Sequence, residues 1–191
     1  MYDETQEKII EATMNLVMEK GYSLTTTKAI AKMAGVNECT VFRRFKNKKD
    51  IILAAMQLPK WNPSLKETDF SRMGDIRSDL ISFSQQYMKK VTPQMVKLSI
   101  GLRTPELAKE TSEGILKVPM TFKNVLVECF DEYLNERSID SESLAMQFLS
   151  MNFGFVFLKA SFGEKLSAIE EKEYIINSVD VFLHGIINMK V

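Results

Sequence analysis

The sequence predicts an all-α protein that consists of an N-terminal three-helix helix-turn-helix domain and a C-terminal helical domain. Apolar residues recur at steps of three and four along most of the 191 residues, which is the period of an amphipathic helix. The 8 glycines and 5 prolines are sparse and lie mainly between the periodic segments, and no stretch alternates convincingly as a strand. A chain of this length can hold one sizeable core or two modest ones.

Residues 3–20 form the first predicted helix. Ile9, Ala12 and Leu16 lie on its inner stripe, and Gly21 is the expected terminator. We expect Tyr22, which follows, to pack in the small core of the first domain.

The stretch from residue 26 to residue 49 reads as two short helices with a turn between them. Ile30, Met33 and Ala34 give the first helix a single apolar face. Gly35 can adopt the left-handed conformation that ends a helix. Asn37 is a good N-cap for the second helix. Two short helices joined by a turn that contains glycine form a helix-turn-helix.

The second helix has an inner and an outer face. Val41 and Phe45 are four residues apart and can pack inward, so Thr40, Arg43 and Arg44 lie on the outer face. These side chains suit the major groove of DNA, because arginine pairs with guanine and threonine contacts a thymine methyl group or a phosphate.

The charge of this stretch agrees with a nucleic-acid site. Between residues 28 and 49 there are seven basic residues and one acid, a net charge of +6 in a chain whose formal total is zero. Asn47 can cap a third helix that begins at Lys48, whose backbone amides and ammonium would then face a phosphate. A solvated basic hairpin that binds nothing is the alternative interpretation.

Residues 9–58 resemble the DNA-binding domain of the TetR family of bacterial transcriptional regulators. The resemblance covers about a quarter of the chain. It rests on a long spaced pattern of Ile9, Ala12, Leu16, Gly21, Tyr22, Thr26, Thr27, Ile30, Ala31, Ala34, Gly35, Val36, Thr40, Val41, Phe42, Phe45 and Lys48. The resemblance implies that the second helix of the motif reads bases, and that the C-terminal helices bind a ligand and dimerise.

The resemblance also implies roles for individual residues. Thr27 and Lys28 would contact phosphates, and Lys48 would hold the DNA backbone. The full predicted DNA-binding set is Thr27, Lys28, Asn37, Glu38, Cys39, Thr40, Phe42, Arg43, Arg44 and Lys48. Three of these positions depart from the usual family pattern: Asn37 replaces a frequent Ser or Thr, Cys39 replaces a frequent Gly, and Phe42 replaces a Tyr that commonly donates to phosphate.

A domain boundary is predicted near residue 59. The helix after Lys48 continues to Leu58, and the two prolines at 59 and 63 bracket Trp61 in a stretch that cannot be one helix. We therefore assign residues 1–58 to the helix-turn-helix domain and residues 59–191 to a ligand-binding and dimerisation domain. The helix over 48–58 is the expected lever between them.

The C-terminal domain is expected to contain about six further helices. Their predicted extents are 71–91, 93–102, 105–114 opened by Thr104 and Pro105, 119–136 opened by Pro119, 141–162, and a last helix opened by a capping box of Ser167 and Glu170.

The last two helices are apolar on nearly all sides, with Phe153 and Phe157 lying outside the main stripe of the first of them. A helix of this kind is buried on nearly all sides. Together with the resemblance, this predicts a homodimer; a monomer with a thick core is the alternative.

A small-molecule site in the middle helices is the expected sensor. Methionine and aromatic side chains suit a pocket for a small apolar or amphipathic ligand, although a helical core uses the same residues. The candidates are Phe83, Tyr87, Met88, Met95, Phe122, Phe130, Met151 and Phe153, with Tyr87, Asn152, Gln147 or Arg103 as orienting groups.

No motif supports catalysis. The single histidine, His184, excludes a multi-histidine metal site, and no nucleophile elbow, phosphate loop or dinucleotide fingerprint occurs. We expect no enzyme activity, no cofactor and no metal.

The N-terminus is polar and acidic, no apolar run is long enough for a bilayer, and Cys39 and Cys129 form no CxxC motif, so we expect a cytoplasmic location with free thiols. The sequence thus predicts a homodimeric regulator on a near-palindromic DNA operator, released by its ligand. A structural DNA-associated protein and a small helical enzyme are the alternatives.

Overall fold

The computed structural model describes residues 2–62, 65–134 and 140–187, and the elements formed in these ranges are all helical. The helices are α1 (Glu4–Lys20), α2 (Thr27–Ala34), α3 (Glu38–Arg44), α4 (Lys48–Ala55), α5 (Ile76–Lys90), α6 (Pro93–Gly101), α7 (Ala108–Leu134), α8 (Ser141–Phe162) and α9 (Glu171–Ile187), with short 3-10 turns at Glu67–Asp69 and Gly163–Lys165. The all-α prediction is confirmed.

The chain divides into two compact units. The N-terminal unit consists of residues 1–64 and 94–116, and the C-terminal unit consists of residues 65–93 and 117–191. The N-terminal unit thus contains a segment that the sequence-based division at residue 58 assigns to the other domain. The reason is apolar burial, because Leu98, Leu102 and Leu107 of this segment lie in the same core as Ile9 and Ile51.

In the N-terminal unit, α1 packs against α2 and α4, and α2 packs against α3. Asn37 and Gly35 act where the sequence predicts them, and Thr26 is a further cap that the sequence analysis did not assign. The side chain of Thr26 accepts from the backbone N–H of Ala29, and that of Asn37 accepts from Cys39. Gly35 ends α2 with φ 66° in the left-handed region, where a side chain would be strained. Local capping chemistry therefore defines the motif.

Helix α6 approaches the end of α1 closely. The backbone N–H of Tyr22 donates to the carbonyl oxygen of Gly101 at 3.2 Å. A Cβ added at Gly101 would lie 2.7 Å from the carbonyl oxygen of Val17. Only glycine therefore permits this distance between the two backbones.

The C-terminal unit has an aromatic core. Helix α5 packs against α9 and α8. Phe83, Tyr87, Phe122, Phe130 and Phe148 are at most 1% exposed. The rings of Tyr87 and Phe122 stack with centroids 4.4 Å apart. Stacked rings of this kind contribute beyond the area that they bury.

Helix α7 differs most from the expectation. It is one continuous helix of 27 residues that contains Gly114 and Pro119, where two helices were predicted. An internal proline costs about 3 kcal/mol because it removes one backbone hydrogen bond and crowds the preceding turn. Burial of Phe122, Leu126 and Phe130 in the following turns offsets that cost.

Two other helix starts also differ from the expectation. Helix α5 begins at Ile76, because Asp75 caps it by accepting from the N–H of Ser78. Helix α9 begins at Glu171, and the hydroxyl of Ser167 accepts from the N–H of Ile169. The predicted capping box of Ser167 and Glu170 is therefore wrong.

Helices α8 and α9 leave apolar side chains exposed. Phe153 and Phe162 of α8 are 37% and 55% exposed, and Val181 of α9 is 72% exposed. Phe182 points inward, since its ring packs against those of Phe130 and Phe148. Val181 therefore belongs to the outer surface of α9, whereas Phe182 is half-buried against the aromatic core.

None of the helices in the described part of the chain combines the length and apolar composition that a membrane span requires.

Candidate nucleic-acid interface

Helix α3 presents the outer face that the sequence predicts. Val41 and Phe45 are 1% and 7% exposed and hold the helix on the core. Phe42 is 50% exposed, and Arg43 is also exposed. Cys39 is exposed as well, and Thr40 is half-buried. Apolar burial on one side thus orients these polar side chains outward.

The two arginines of α3 are not equivalent. The Nη1 atom of Arg44 lies 2.8 Å from the Oδ2 atom of Asp3. Asp3 also caps α1 by accepting from the backbone N–H of Gln6. Arg43 has no ion pair or hydrogen bond with any residue that the structure describes. Arg43 is therefore free to reach a ligand, whereas Arg44 is held by the start of α1.

Glu38 and Thr27 join the starts of α2 and α3. The hydroxyl of Thr27 donates to Oε1 of Glu38 at 2.7 Å, and both residues are half-buried. This bond occupies the hydroxyl that the resemblance assigns to a phosphate. Lys28 next to it is exposed.

The side chain of Lys48 makes hydrogen bonds within the N-terminal unit. Its Nζ atom donates to the carbonyl oxygens of Tyr22 at 2.7 Å and Thr25 at 2.8 Å. The same atom lies 3.9 Å from the centroid of the Tyr22 ring, a cation–π contact. Burial lowers the pKa of Lys48. The ammonium therefore ties α4 to the turn between α1 and α2, and one of its three N–H groups remains.

Other charges of the basic stretch are also paired. Lys49 forms an ion pair with Glu110 of α7, which lowers the pKa of Glu110. Asn47 caps α4, since its side chain accepts from the N–H of Asp50 at 2.9 Å. The basic side chains of the stretch that are exposed and unpaired among the described residues are Lys28, Lys32, Arg43 and Lys46.

The predicted ligand-lining residues do not form one site. Phe83, Tyr87, Met88, Phe122 and Phe130 are buried together in the C-terminal unit. By contrast, Met95 lies in the segment that folds with the N-terminal unit, Met151 is half-buried, and Phe153 is exposed and stacks on Phe157.

The predicted orienting groups also lie apart. Asn152 is buried, and its amide donates to the carbonyl of Phe148. Gln147 is exposed, and Arg103 is exposed in the N-terminal unit. Tyr87, the last of these groups, lies in the aromatic core, where burial raises its pKa.

Sequence reasoning missed a buried carboxylate in the C-terminal unit. Asp79 is fully buried and accepts from Nη1 of Arg72 at 3.1 Å, the hydroxyl of Tyr133 at 3.2 Å and the N–H of Met73. Arg72 also pairs with Glu132. Buried carboxylates are tolerated when they are paired and hydrogen-bonded in this way. The cluster fixes the segment before α5 onto α7, and no sequence spacing signals it.

The two cysteines are free thiols, as expected. Burial raises the pKa of Cys129 to about 11, so that this thiol is neutral at physiological pH. No group of three or more His, Cys, Asp or Glu side chains in the described ranges could hold a metal ion.

Comparison with known proteins agrees with this geometry. Residues 9–55 match the family described as "Bacterial regulatory proteins, tetR family". The chain is 27% identical over 188 residues to the uncharacterized HTH-type transcriptional regulator YvkB of Bacillus subtilis (strain 168), with 95% of this chain and 97% of YvkB covered.

Solved structures share the fold over nearly the whole chain. NalD of Pseudomonas aeruginosa, the secondary repressor of the MexAB-OprM multidrug efflux pump, superimposes with a TM-score of 0.69 at 16% identity and covers 96% of this chain and 98% of its own. AibR, solved in complex with isovaleryl coenzyme A and operator DNA, gives a TM-score of 0.63 at 17% identity, with 93% and 97% covered.

Proposed function

We propose that this chain is a transcriptional regulator of the TetR family and that it acts as a repressor that leaves its operator when a small ligand binds. The observation that carries the DNA-binding role is the orientation of α3. Its apolar side is anchored by Val41 and Phe45, and this leaves Arg43 exposed and unpaired among the described residues. An arginine on such a helix can donate two hydrogen bonds to a guanine in the major groove.

Phosphate contacts would come from the unpaired cations and from helix starts around α3. Lys28 follows the start of α2, and Lys46 precedes the start of α4. Both side chains are exposed. Backbone amides at a helix N-terminus also favour an anion. Phosphate contacts fix the register of the protein on DNA, whereas Arg43, Thr40 and Cys39 would face the bases.

We place the ligand in the C-terminal unit, at the aromatic cluster of Phe83, Tyr87 and Phe122. The Tyr87 and Phe122 rings are in direct stacking contact, so a ligand must separate them. That requirement gives a ligand a differential affinity for an opened state, which is what a switch needs. AibR, which shares the fold, was solved with an acyl coenzyme A, and NalD is a repressor by name.

The homodimer would form through the exposed apolar side chains of α8 and α9. Phe153, Phe162 and Val181 are unusual on a surface, and large exposed apolar patches commonly mark interfaces. A two-fold dimer presents two α3 helices to a near-palindromic site with half-sites about one helical turn apart. As a DNA-binding regulator it would act in the cytoplasm, and we assign it no catalytic role.

Selection of bound DNA from a random pool tests the proposal. We expect enrichment of two inverted half-sites with centres about 10–10.5 base pairs apart, or a multiple of that spacing. Unenriched pools at all salt concentrations would contradict sequence-specific binding. The ligand is tested by melting the protein against a metabolite panel, because a ligand that prefers the folded state raises the midpoint. A hit must also weaken operator binding; a hit that strengthens it contradicts release by ligand.

A further inference from the structure

A cavity opens on the surface of the N-terminal unit, beside α1 and α6. Its volume is about 410 Å³, within the range of roughly 300–1,000 Å³ usual for small-molecule sites. The lining residues come from the end of α1 with the following turn, and from the end of α6 with the residues after it: Val17, Met18, Lys20, Gly21, Tyr22, Ser23, Lys97, Ile100, Gly101 and Thr104.

The backbone fixes the shape of this cavity. Gly101 and Val17 approach so closely that any side chain at Gly101 would collide with the carbonyl oxygen of Val17. The hydrogen bond from Tyr22 to Gly101 joins the same two walls. A preformed wall lowers the ordering cost that a ligand must offset.

One part of the lining is apolar. Val17 is buried and Met18 is half-buried, whereas Ile100 is 48% exposed. Covering exposed apolar surface with the apolar body of a ligand is favourable. The cavity therefore offers a place for a short hydrocarbon chain.

The other part of the lining is cationic. Lys20 and Lys97 both line the cavity, and neither forms an ion pair with a residue in the described ranges. Thr104 also lines it, and the Thr104 hydroxyl is buried without a hydrogen-bond partner in that part of the chain. Two unpaired ammonium groups at the cavity suit an anionic head group that accepts hydrogen bonds.

We propose that this cavity binds a small amphipathic carboxylate. The carboxylate would lie between the ammonium groups of Lys20 and Lys97, and its alkyl chain would lie along Met18 and Ile100. This site is separate from the ligand site proposed in the C-terminal unit and does not depend on it. An occupant would hold the end of α1 against the end of α6, next to the turn that Lys48 clamps.

Octanoate is a suitable probe for the full-length protein labelled with ¹⁵N-glycine. The amides of Gly21 and Gly101 report on the cavity, and those of Gly154 and Gly185 report on the C-terminal unit. We expect octanoate to shift the first pair in a saturable way and to leave the second pair unchanged. Octanol, which lacks the charge, and octylamine, which reverses it, should bind roughly tenfold more weakly.

Charge reversal identifies the head-group site. Lys20→Glu combined with Lys97→Glu should weaken octanoate roughly tenfold, because two attractions become repulsions. Lys109→Glu is the matched control, since Lys109 is an exposed lysine of the same unit outside the cavity. An unchanged glycine spectrum without probe verifies the fold of each variant.

The outcomes separate the two ligand sites. Saturable shifts at Gly21 and Gly101 that the double variant weakens support the proposal. Shifts only at Gly154 and Gly185, equal binding of octylamine, no saturation at millimolar octanoate, or equal effects of the double variant and Lys109→Glu would each overturn it. None of these results affects the operator selection that tests the proposed function.

Discussion

Replacing Asp3 with asparagine separates two roles of one carboxylate. Asp3 caps α1 through the N–H of Gln6 and also holds Arg44 at 2.8 Å. Asparagine is as good an N-cap as aspartate, so α1 should keep its start. The variant loses only the charge that pairs with Arg44. We therefore expect Asp3→Asn to bind DNA more tightly and to lose only about the 0.2–1 kcal/mol of stability that an exposed ion pair contributes.

The magnitude follows from the exposure of the pair. The side chains of Arg44 and Asp3 are 38% and 43% exposed, so solvent screens their attraction and the pair contributes only about 0.2–1 kcal/mol. If DNA must break the pair before Arg44 can contact it, removing the competitor increases affinity by about 1.4-fold to fivefold. A larger gain on operator than on random DNA would indicate that the freed arginine reads a base rather than a phosphate.

Fluorescence anisotropy with operator and random duplexes at one fixed salt concentration measures the effect. Glu4→Gln is the matched control, because Glu4 lies beside Asp3 and pairs with Lys8 instead. It removes the same formal charge without releasing Arg44. Equal gains for both variants would attribute the effect to net charge alone. A loss of affinity in Asp3→Asn without unfolding would refute competition and show that the pair orients Arg44 for DNA.

Three further predictions concern the close approach of α6 to α1, the exposed ring of α3 and the outer surface of α9. Gly101→Ala should lower the free energy of unfolding by about 1–3 kcal/mol, measured by urea denaturation, because the added methyl group overpacks against α1. Gly114→Ala is the control and should raise the free energy of unfolding by about 0.5–1 kcal/mol, because its Cβ would make only ordinary contacts; equal effects of the two variants would contradict the close approach. Phe42→Tyr should leave the melting temperature unchanged, since the ring is half exposed, and should raise affinity for operator and random DNA together; a stability loss without a gain in affinity would refute a backbone contact. Val181→Glu should give a folded monomer in sedimentation analysis, because Val181 is 72% exposed in the single chain and the new charge would enter only the dimer interface. Phe182→Glu should unfold the protein, because the Phe182 ring packs against Phe148. A Val181→Glu dimer of unchanged stability would place the interface elsewhere.

Local chemistry made the N-terminal motif predictable from sequence. Thr26, Asn37 and Asn47 cap their helices and Gly35 ends α2, and each of these acts within a few residues of itself. Sequence periodicity likewise placed Val41 inside. Contacts between near neighbours are encoded by spacing alone, so they can be read without a structure.

Tertiary packing decided the features that sequence did not predict. Pro119 is an ordinary helix-breaking signal, yet α7 continues through it because the residues that follow are buried. The segment 94–116 joins the N-terminal unit through leucines whose periodicity fits any core. The broad apolar pattern of α9 does not distinguish Phe182 from an outward residue such as Val181, and only its ring contacts show that it packs against the aromatic core. Periodicity identifies an apolar face but not its partner.

The basic stretch shows why a charge count overstates a binding surface. Seven cations and one acid give the stretch a net charge of +6. However, Lys48 donates hydrogen bonds to two backbone carbonyls, Lys49 forms an ion pair with Glu110, and Arg44 forms an ion pair with Asp3. Each of these partners lies 20 or more residues away in the sequence, so a window of the stretch cannot reveal it. Lys28, Lys32, Arg43 and Lys46 remain exposed and unpaired among the described residues. The structure therefore distinguishes two adjacent arginines: Arg43 is exposed and has no partner among the described residues, whereas Arg44 is paired with the carboxylate of Asp3.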